Sequence, residues 1–480
     1  MSLRQDALEI KELFEKVSPT LETNFILLDI FEGNLLPYVL VDLKKQLNKR
    51  AFNVAQNRVP PINILKRVID KLSQIYNLPP KREVEGTEQD KIIWDFYSEN
   101  MELDVAMSRS EEYFNLNKAV ALEPYLDKYF MPKIRSIPYD RFFVRANDPT
   151  DPMRVTEFIK IMGKAKVAIG NNKFEDRIIM FVYSDTEFLI IDDKGEVRDE
   201  LMAQKNLDGS NPFGKIPFIY INKSHTKVNP PEDTDILNMT KLIPILMTDL
   251  NYALMFQTFS IIYGIDVDSE KLDMNPNTFW SLKSDPTKTT TPKIDIIKPE
   301  VDSDKALTAI HEQLSLWLQS RNIRPGANGK VGVENFSSGI SKMVDEMDTT
   351  SERQKTIPYF ECAEEALFEL IKNHIHPIWS LNPSFEIKQQ FSSESELDVD
   401  FPLQTYMPTR GELLVELKQE MELNLVSHKT AFKRLNPDYD EADVDEELLA
   451  IESDRTVEVD ALPNDGGKMA DNNGNEAPKV

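Results

Sequence analysis

The spacing of apolar residues changes twice along this chain, and those two changes restrict its fold more than any single motif. Residues 1 to about 135 read as mostly helical. In "INILKRVIDKLSQIY", Ile62, Ile64, Leu65, Val68, Ile69, Leu72 and Ile75 fall on one side at spacings of three and four. "VPP" before it and "LPP" after it punctuate both ends. From about 136 to 222 the period becomes two: "DRFFVRAN", "RIIMFVYSD" and "EFLIIDDKGEVRDE" are strand-like, the last with an Asp-Lys-Gly turn. "NPFGKIPFIYINKS" closes this region with one more extended segment. The helical period then returns, which predicts an α+β chain.

In the second helical part, "TKLIPILMTDLNYALMFQTFSII" predicts one helix over 240–262, with Pro244 in or near its first turn. Residues 264–300 interrupt it with a proline- and threonine-rich insertion holding short strand-like runs, "NTFWSL" and "PKIDIIKP". A helix over 302–320 follows, with Leu307, Ile310, Leu314 and Trp317 on one side and Asp302 or Ser303 as its N-cap. Residues 321–339, "RNIRPGANGKVGVENFSSG", hold four glycines and a proline and show no apolar period. A loop of that length between strong helices is usually functional or disordered. The next helical pattern runs from 340 to about 376, and Pro358 inside it should kink it by removing an intrahelical bond. Two shorter helices are expected within 409–436. Residues 438–460 then hold eleven acidic residues against Arg455 alone, and the polar last twenty are expected to be disordered.

Composition removes several classes of function. The 56 basic and 81 acidic residues give a net charge of −25, which disfavours tight non-specific adhesion to nucleic acid, because that adhesion is mainly phosphate neutralisation. The single cysteine, Cys362, leaves no internal disulfide framework and no cysteine zinc site. It is expected to pack within the long helix. The charged, amphipathic N-terminus does not read as a signal peptide, and no apolar run approaches the ~18 residues of a membrane span. The expectation is a soluble, cytosolic or particle-associated protein.

Enzyme motifs are weak. Gly329-Lys330 and Gly214-Lys215 occur without the rest of a phosphate loop. "HEQLS" begins like a zinc-protease helix, but Ser315 stands where the second histidine would bind metal. His374 and His376 in "HIH" point apart on a helix and read as a helix end before Pro377. No cofactor is called for. In the glycine-rich loop, Arg321, Arg324 and Lys330 stand against Glu334 only.

The order of parts is more specific than any of these. A helix, a Pro/Thr-rich β insertion, a second helix, a glycine-rich loop and a long proline-containing helix follow one another. This arrangement resembles the portal protein, or head-to-tail connector, of tailed bacteriophages. "NRVPPINILKRVIDKLSQIYNLPP" looks like that family's early wing helix, and "KIPFIYINKS" is similar to the strand closing the wing. "LIPILMTDLNYALMFQTFSIIYGID" looks like the first stem helix. "FSSGISKMVDEM" resembles the junction of tunnel loop and long helix, and "HKTAFKRLNPDYDEADVDEELLAIESD" the acidic crown end. The resemblance covers about residues 50–455. The chain departs from the family in Pro244 and in its short stretch beyond the crown-like helices.

The resemblance implies a mixed wing over 1–222, a first stem helix over 223–263, a small β clip over 264–300 and a second stem helix over 301–322. A tunnel loop over 323–339, a long kinked helix returning to the wing over 340–408, a helical crown over 409–455 and a disordered tail over 456–480 complete it. It further implies a ring of twelve subunits at one capsid vertex of the virion, through which double-stranded DNA is packaged and ejected without sequence recognition. Arg321, Arg324, Lys330 and the Asn335-Phe336 pair would border that DNA, with Lys330 repeated as a collar. In the clip, Phe279, Trp280, Lys283, Lys288, Lys293 and Lys298 would meet the terminase large subunit or a head-completion adaptor. Major capsid and scaffolding proteins would be further partners, and catalysis would belong to the terminase. The competing expectation is an acidic scaffold or adaptor without a channel.

Overall fold

The computed structural model describes residues 3–168, 174–204, 208–259, 261–265, 293–297, 302–321, 323, 339–402, 410–423, 425–436, 444 and 447. The fold is α+β, and the chain divides into two compact units. The first holds Met1–Val333 with Asp345–Gln404, the second Glu334–Val344 with Thr405–Val480. Among the described residues, no helix is long and apolar enough to cross a membrane.

The first unit opens with α1 (Leu3–Phe31), α2 (Leu35–Gln46), α3 (Lys49–Ala55) and α4 (Ile64–Leu72). Asn48 and Asn63 cap α3 and α4 by accepting backbone N–H bonds from Ala51 (3.0 Å) and Lys66 (3.1 Å). The strand β1 (Lys81–Glu85) precedes α5 (Glu88–Met101) and α6 (Leu103–Asn117). Thr87 and Asp90 form a reciprocal capping box at the start of α5. Asp90 also accepts from the Ser392 N–H at 2.7 Å, which ties a distant loop to this helix.

Strands begin earlier than the period-two reading placed them. β2 (Ala119–Leu126) and β3 (Pro132–Pro138) precede β4 (Phe142–Arg145), β5 (Glu157–Ala168), β6 (Phe174–Tyr183) and β7 (Phe188–Asp192). After α7 (Asp199–Gln204), β8 (Ile219–Asn222) pairs back onto β2. Pro124 disguises β2 in the sequence. It is tolerated because pairing with β8 ends at Leu122, so the strand beyond has a partner on one side only. The antiparallel sheets are β3-β2-β8 and β4-β5-β6-β7. The second is buried on both faces around β4, while the far halves of β5 and β6 are largely exposed. The "FF" of β4 shows how the burial is achieved: Phe142 packs with Phe158, Phe218 and Tyr139, while Phe143 packs under α1 with Ile10 and Ile159. The Asp-Lys-Gly turn forms as expected. Gly195 sits at φ +78°, and a side chain there would press on the Ala7 carbonyl oxygen at 3.2 Å.

The helix expected over 240–262 runs instead over α8 (Thr234–Phe259). Asp233 starts it two turns early by accepting from the Ile236 N–H at 3.2 Å. Pro244 therefore lies buried in the helix interior rather than in the first turn. The Pro244 carbonyl keeps a partner in the Thr248 hydroxyl at 2.6 Å. Residues taken for the helix end form β9 (Ile261–Ile265), antiparallel to β10 (Lys293–Ile297), because the run "IIYGI" has a ladder partner. α9 (Ser303–Ser320) begins at the Asp302 cap, as its sequence predicts.

The long helix α10 (Gly339–Leu370) passes through Pro358 as a single element. Pro358 and Gln354, whose carbonyl loses its bond, both lie on the exposed side, so that carbonyl can turn to water. The departure from α-helical bonding comes later, in a π turn at Ile371–Ile375 that continues into α11 (His376–Trp379). The helix thus does not end at "HIH". His376 is buried, with Nδ1 2.9 Å from the Tyr97 hydroxyl and Nε2 2.7 Å from the Gln389 carbonyl oxygen. Burial holds its pKa below the ordinary histidine value. Cys362, expected to be packed, is exposed. The strand β11 (Glu396–Asp400) then pairs with β1.

A buried polar hub joins α10 to the N-terminal elements. Glu364, fully buried, accepts from the Tyr76 hydroxyl at 2.6 Å and from Arg82, whose Nη1 also reaches Asp104 at 2.7 Å. Around it pack Trp94, Tyr97, Phe114, Phe360, Phe368 and Phe385, many edge-to-face.

The second unit contains α12 (Arg410–Glu422) and α13 (His428–Leu435), close to the two short helices read from the sequence. Ser427 caps α13, and Arg434 pairs with Glu420 at 3.0 Å.

Candidate functional site

The segment with the strongest functional signal is the hairpin of α8 and α9. Their apolar sides share one core with α1, α2 and α4, through Ile236, Ile243, Ile245, Ile310 and the partly buried Leu250, Leu314 and Trp317. The C-terminal end of α9 lies at the N-terminal end of α8. The Trp317 Nε1–H donates to Asp235 at 2.8 Å, and Arg321 reaches both Asp233 and Asp235. The two helices are therefore antiparallel, and the β9–β10 ladder, with Ile261 opposite Ile297, joins their other ends. At 1.5 Å per residue, α9 is about 27 Å long.

Arg321 is the hairpin's latch. Its Nη1 and Nη2 hold the two Asp233 oxygens at 3.0 and 2.8 Å, Nη2 reaches Asp235 at 2.7 Å, and the guanidinium lies over the Trp317 ring. Burial works against the Asp233 charge, but the hydrogen bonds and charge of Arg321 outweigh it and hold the carboxyl below its usual range. Asp233 thus has two tasks, capping α8 and receiving Arg321. Neither aspartate was singled out from the sequence, although the cap three residues before Ile236 was legible in "EDTDIL".

The guanidinium of Arg321, expected to border DNA, is committed within this chain to two carboxylates. Arg324, Lys330, Asn335 and Phe336 lie outside the described residues, as do Phe279, Trp280, Lys283, Lys288 and Lys298. Lys293 opens β10 opposite Ile265. Ile323, just beyond the latch, is buried in the hairpin's core. Among the described residues no group of three or more His, Cys, Asp or Glu is placed to hold a metal ion. His311 is exposed on α9, and His374 Nδ1 lies 3.0 Å from the Phe213 carbonyl oxygen.

No model of a known protein family matches the chain, and no curated protein matches it.

Proposed function

We propose that the chain is the subunit of a portal ring, a channel at one capsid vertex through which viral DNA is packaged and ejected. The observation that carries this reading is the hairpin: two antiparallel helices latched at one end and joined at the other by a short β ladder. A stem and clip require that order of elements. On this reading α8 and α9 are the stem, β9 and β10 belong to the clip, and the segment after Arg321 is the tunnel loop. α10 is the long helix beyond it, and α12 and α13 belong to the crown.

The chain's part is mechanical. Twelve copies surround DNA, the large acidic surplus limits phosphate wells along the wall, and Lys330 supplies a basic collar. The terminase large subunit supplies ATP hydrolysis and docks at the clip, followed by a head-completion adaptor. Capsid and scaffolding proteins surround the ring.

Electron microscopy of the purified full chain tests this directly. Closed rings with a central channel are expected. A species that stays monomeric over a wide range of concentration and salt overturns the reading, and large particles without a channel favour an acidic scaffold. Within rings, removing residues 326–335 should leave assembly intact and impair DNA packaging or retention.

A further inference from the structure

The outward face of the β1–β11 sheet carries more negative charge than its neighbouring lysines balance. The register places Glu83 opposite Asp398 and Glu85 opposite Glu396. Like charges directly across a ladder destabilise it. Lys81, the one cation in that row, pairs with Glu83. On neighbouring α10, Glu361, Glu365 and Glu369 repeat at four-residue spacing, which also disfavours a helix. Of the three, only Glu369 has an ion-pair partner among the described residues, Lys372 at 2.5 Å. The two rows form one field: burial first, and then Glu365, Asp400 and Asp398, push the Glu361 carboxyl above its usual pKa. A cleft of about 560 Å³ runs between them, lined on its apolar side by Phe368 and Leu397.

The same unit presents the opposite charge on another face. α2, α3, the turn at Gln56–Arg58 and α4 all lie against α8. From residue 44 to residue 71 they carry eight lysines and arginines against Asp70 alone, in a chain of net charge −25. All eight are exposed. Lys45 and Lys66 pair with local aspartates. Among the described residues, Lys44, Lys49, Arg50, Arg58, Arg67 and Lys71 form no ion pair. Val54 and Ile62, exposed among them, offer apolar contact.

The two faces border different cores, the sheet face that of α5, α6 and α10, and the basic face that of α2, α4 and α8. We infer that the sheet face of one copy docks on the α2–α4 face of the next copy, head to tail. The inference rests on the ring reading and names the contact that closes the ring. A second copy is favoured over other cationic or anionic partners because both complementary faces occur once on every chain. Head-to-tail contacts between unlike patches generate rings when the rotation closes. Each face is poorly matched alone, and the contact relieves both.

Two exposed triple variants of the full chain test it. One carries Glu365→Lys, Glu396→Lys and Asp398→Lys, and the other Lys49→Glu, Arg50→Glu and Arg58→Glu. Each alone should need a roughly tenfold higher concentration to reach half-assembly in light scattering, with its thermal melt as a monomer retained. Mixing the two in equal amounts should restore assembly, because each altered face then meets its altered complement in an alternating ring. Raising NaCl from about 0.1 to about 0.5 M should weaken the unmodified ring. Unchanged rings in either variant overturn the inference and leave the ring reading standing. So does a mixture that fails to reassemble. Intact rings that lose DNA retention only in the lysine–arginine variant would assign the basic face to nucleic acid and likewise overturn it. An unmodified chain that never forms rings removes the ring reading and the inference with it.

Discussion

In α9 the fold buries one side chain, Ile310, and leaves Leu316 67% exposed. In the later part of α10, Phe360, Ala363, Leu367, Phe368 and Leu370 are all buried, and the following π turn buries Ile371 and Ile375. Both helices carry apolar residues at three- and four-residue spacing, so the pattern alone ranks them as equals. They differ in what surrounds them. α10 is enclosed by α5, α6 and the β1–β11 sheet, with Glu364 tied into the hub. α9 has α8 beside it and a latch at Arg321, and ten of its 18 residues are exposed. The enclosed helix should govern the stability of the subunit, and the open one its assembly.

The largest expected effect breaks the enclosed region. Phe360→Ala, which removes a fully buried ring in contact with Tyr76 and Phe114, should cost about 3–5 kcal/mol in denaturant unfolding. A loss below about 1 kcal/mol would show that α10 is not the core element described. Next comes Arg82→Met, which leaves Glu364 buried without its cation. It should cost roughly 3 kcal/mol by the same measurement, and Arg82→Met combined with Glu364→Gln should recover part of that loss.

Acidity separates the two regions by sign. Burial pushes the Glu111 carboxyl up to about 7, against the backbone N–H groups of Ile75 and Tyr76 and the charge of Arg353. A carboxyl raised on folding contributes stability below its unfolded pKa and loses it as pH rises through the folded value. The hub should therefore weaken between about pH 5 and pH 8, by about 2 kcal/mol, and Glu111→Gln should flatten that slope. Asp233 behaves oppositely. Burial opposes its charge, but Arg321 holds it low, so its contribution is present above the ordinary carboxylate range and is lost as pH falls through the folded value. Tryptophan fluorescence of Trp317 should report the hairpin loosening at acid pH, and Arg321→Ala should abolish that transition.

The smallest effect sharpens the contrast. Leu316→Ser should change subunit unfolding by about 0.5 kcal/mol or less, because that side chain is already largely in water. If the open face of α9 serves assembly, the same substitution should reduce the oligomer mass seen in light scattering.

Elements with strong local signals were legible. α4, α9, α12 and α13 have caps or apolar spacing that act within a turn or two, and the Asp-Lys-Gly turn needs only its own glycine. Elements decided by distant partners were misjudged. β2 carries Pro124 and looked unlike a strand, β9 looked like the end of a helix until β10 paired with it, and α8 begins at a cap that lies outside its apolar run.

The candidate site divides along the same line. The sequence by itself determined that the helices α8, α9 and α10 follow one another with breaks between them, because hydrophobic period, glycine and proline act locally on the backbone. It also determined the net charge, which no fold can alter. Only the tertiary structure decided where that charge goes. Arg321, read as a free cation, is neutralised by Asp233 and Asp235 from 88 and 86 residues away. Glu83 and Glu85 meet further carboxylates across a ladder whose strands lie some 300 residues apart in the chain. Ion pairs and cross-strand neighbours depend on distances of a few ångströms, and those distances are set by packing between elements that a local pattern does not specify.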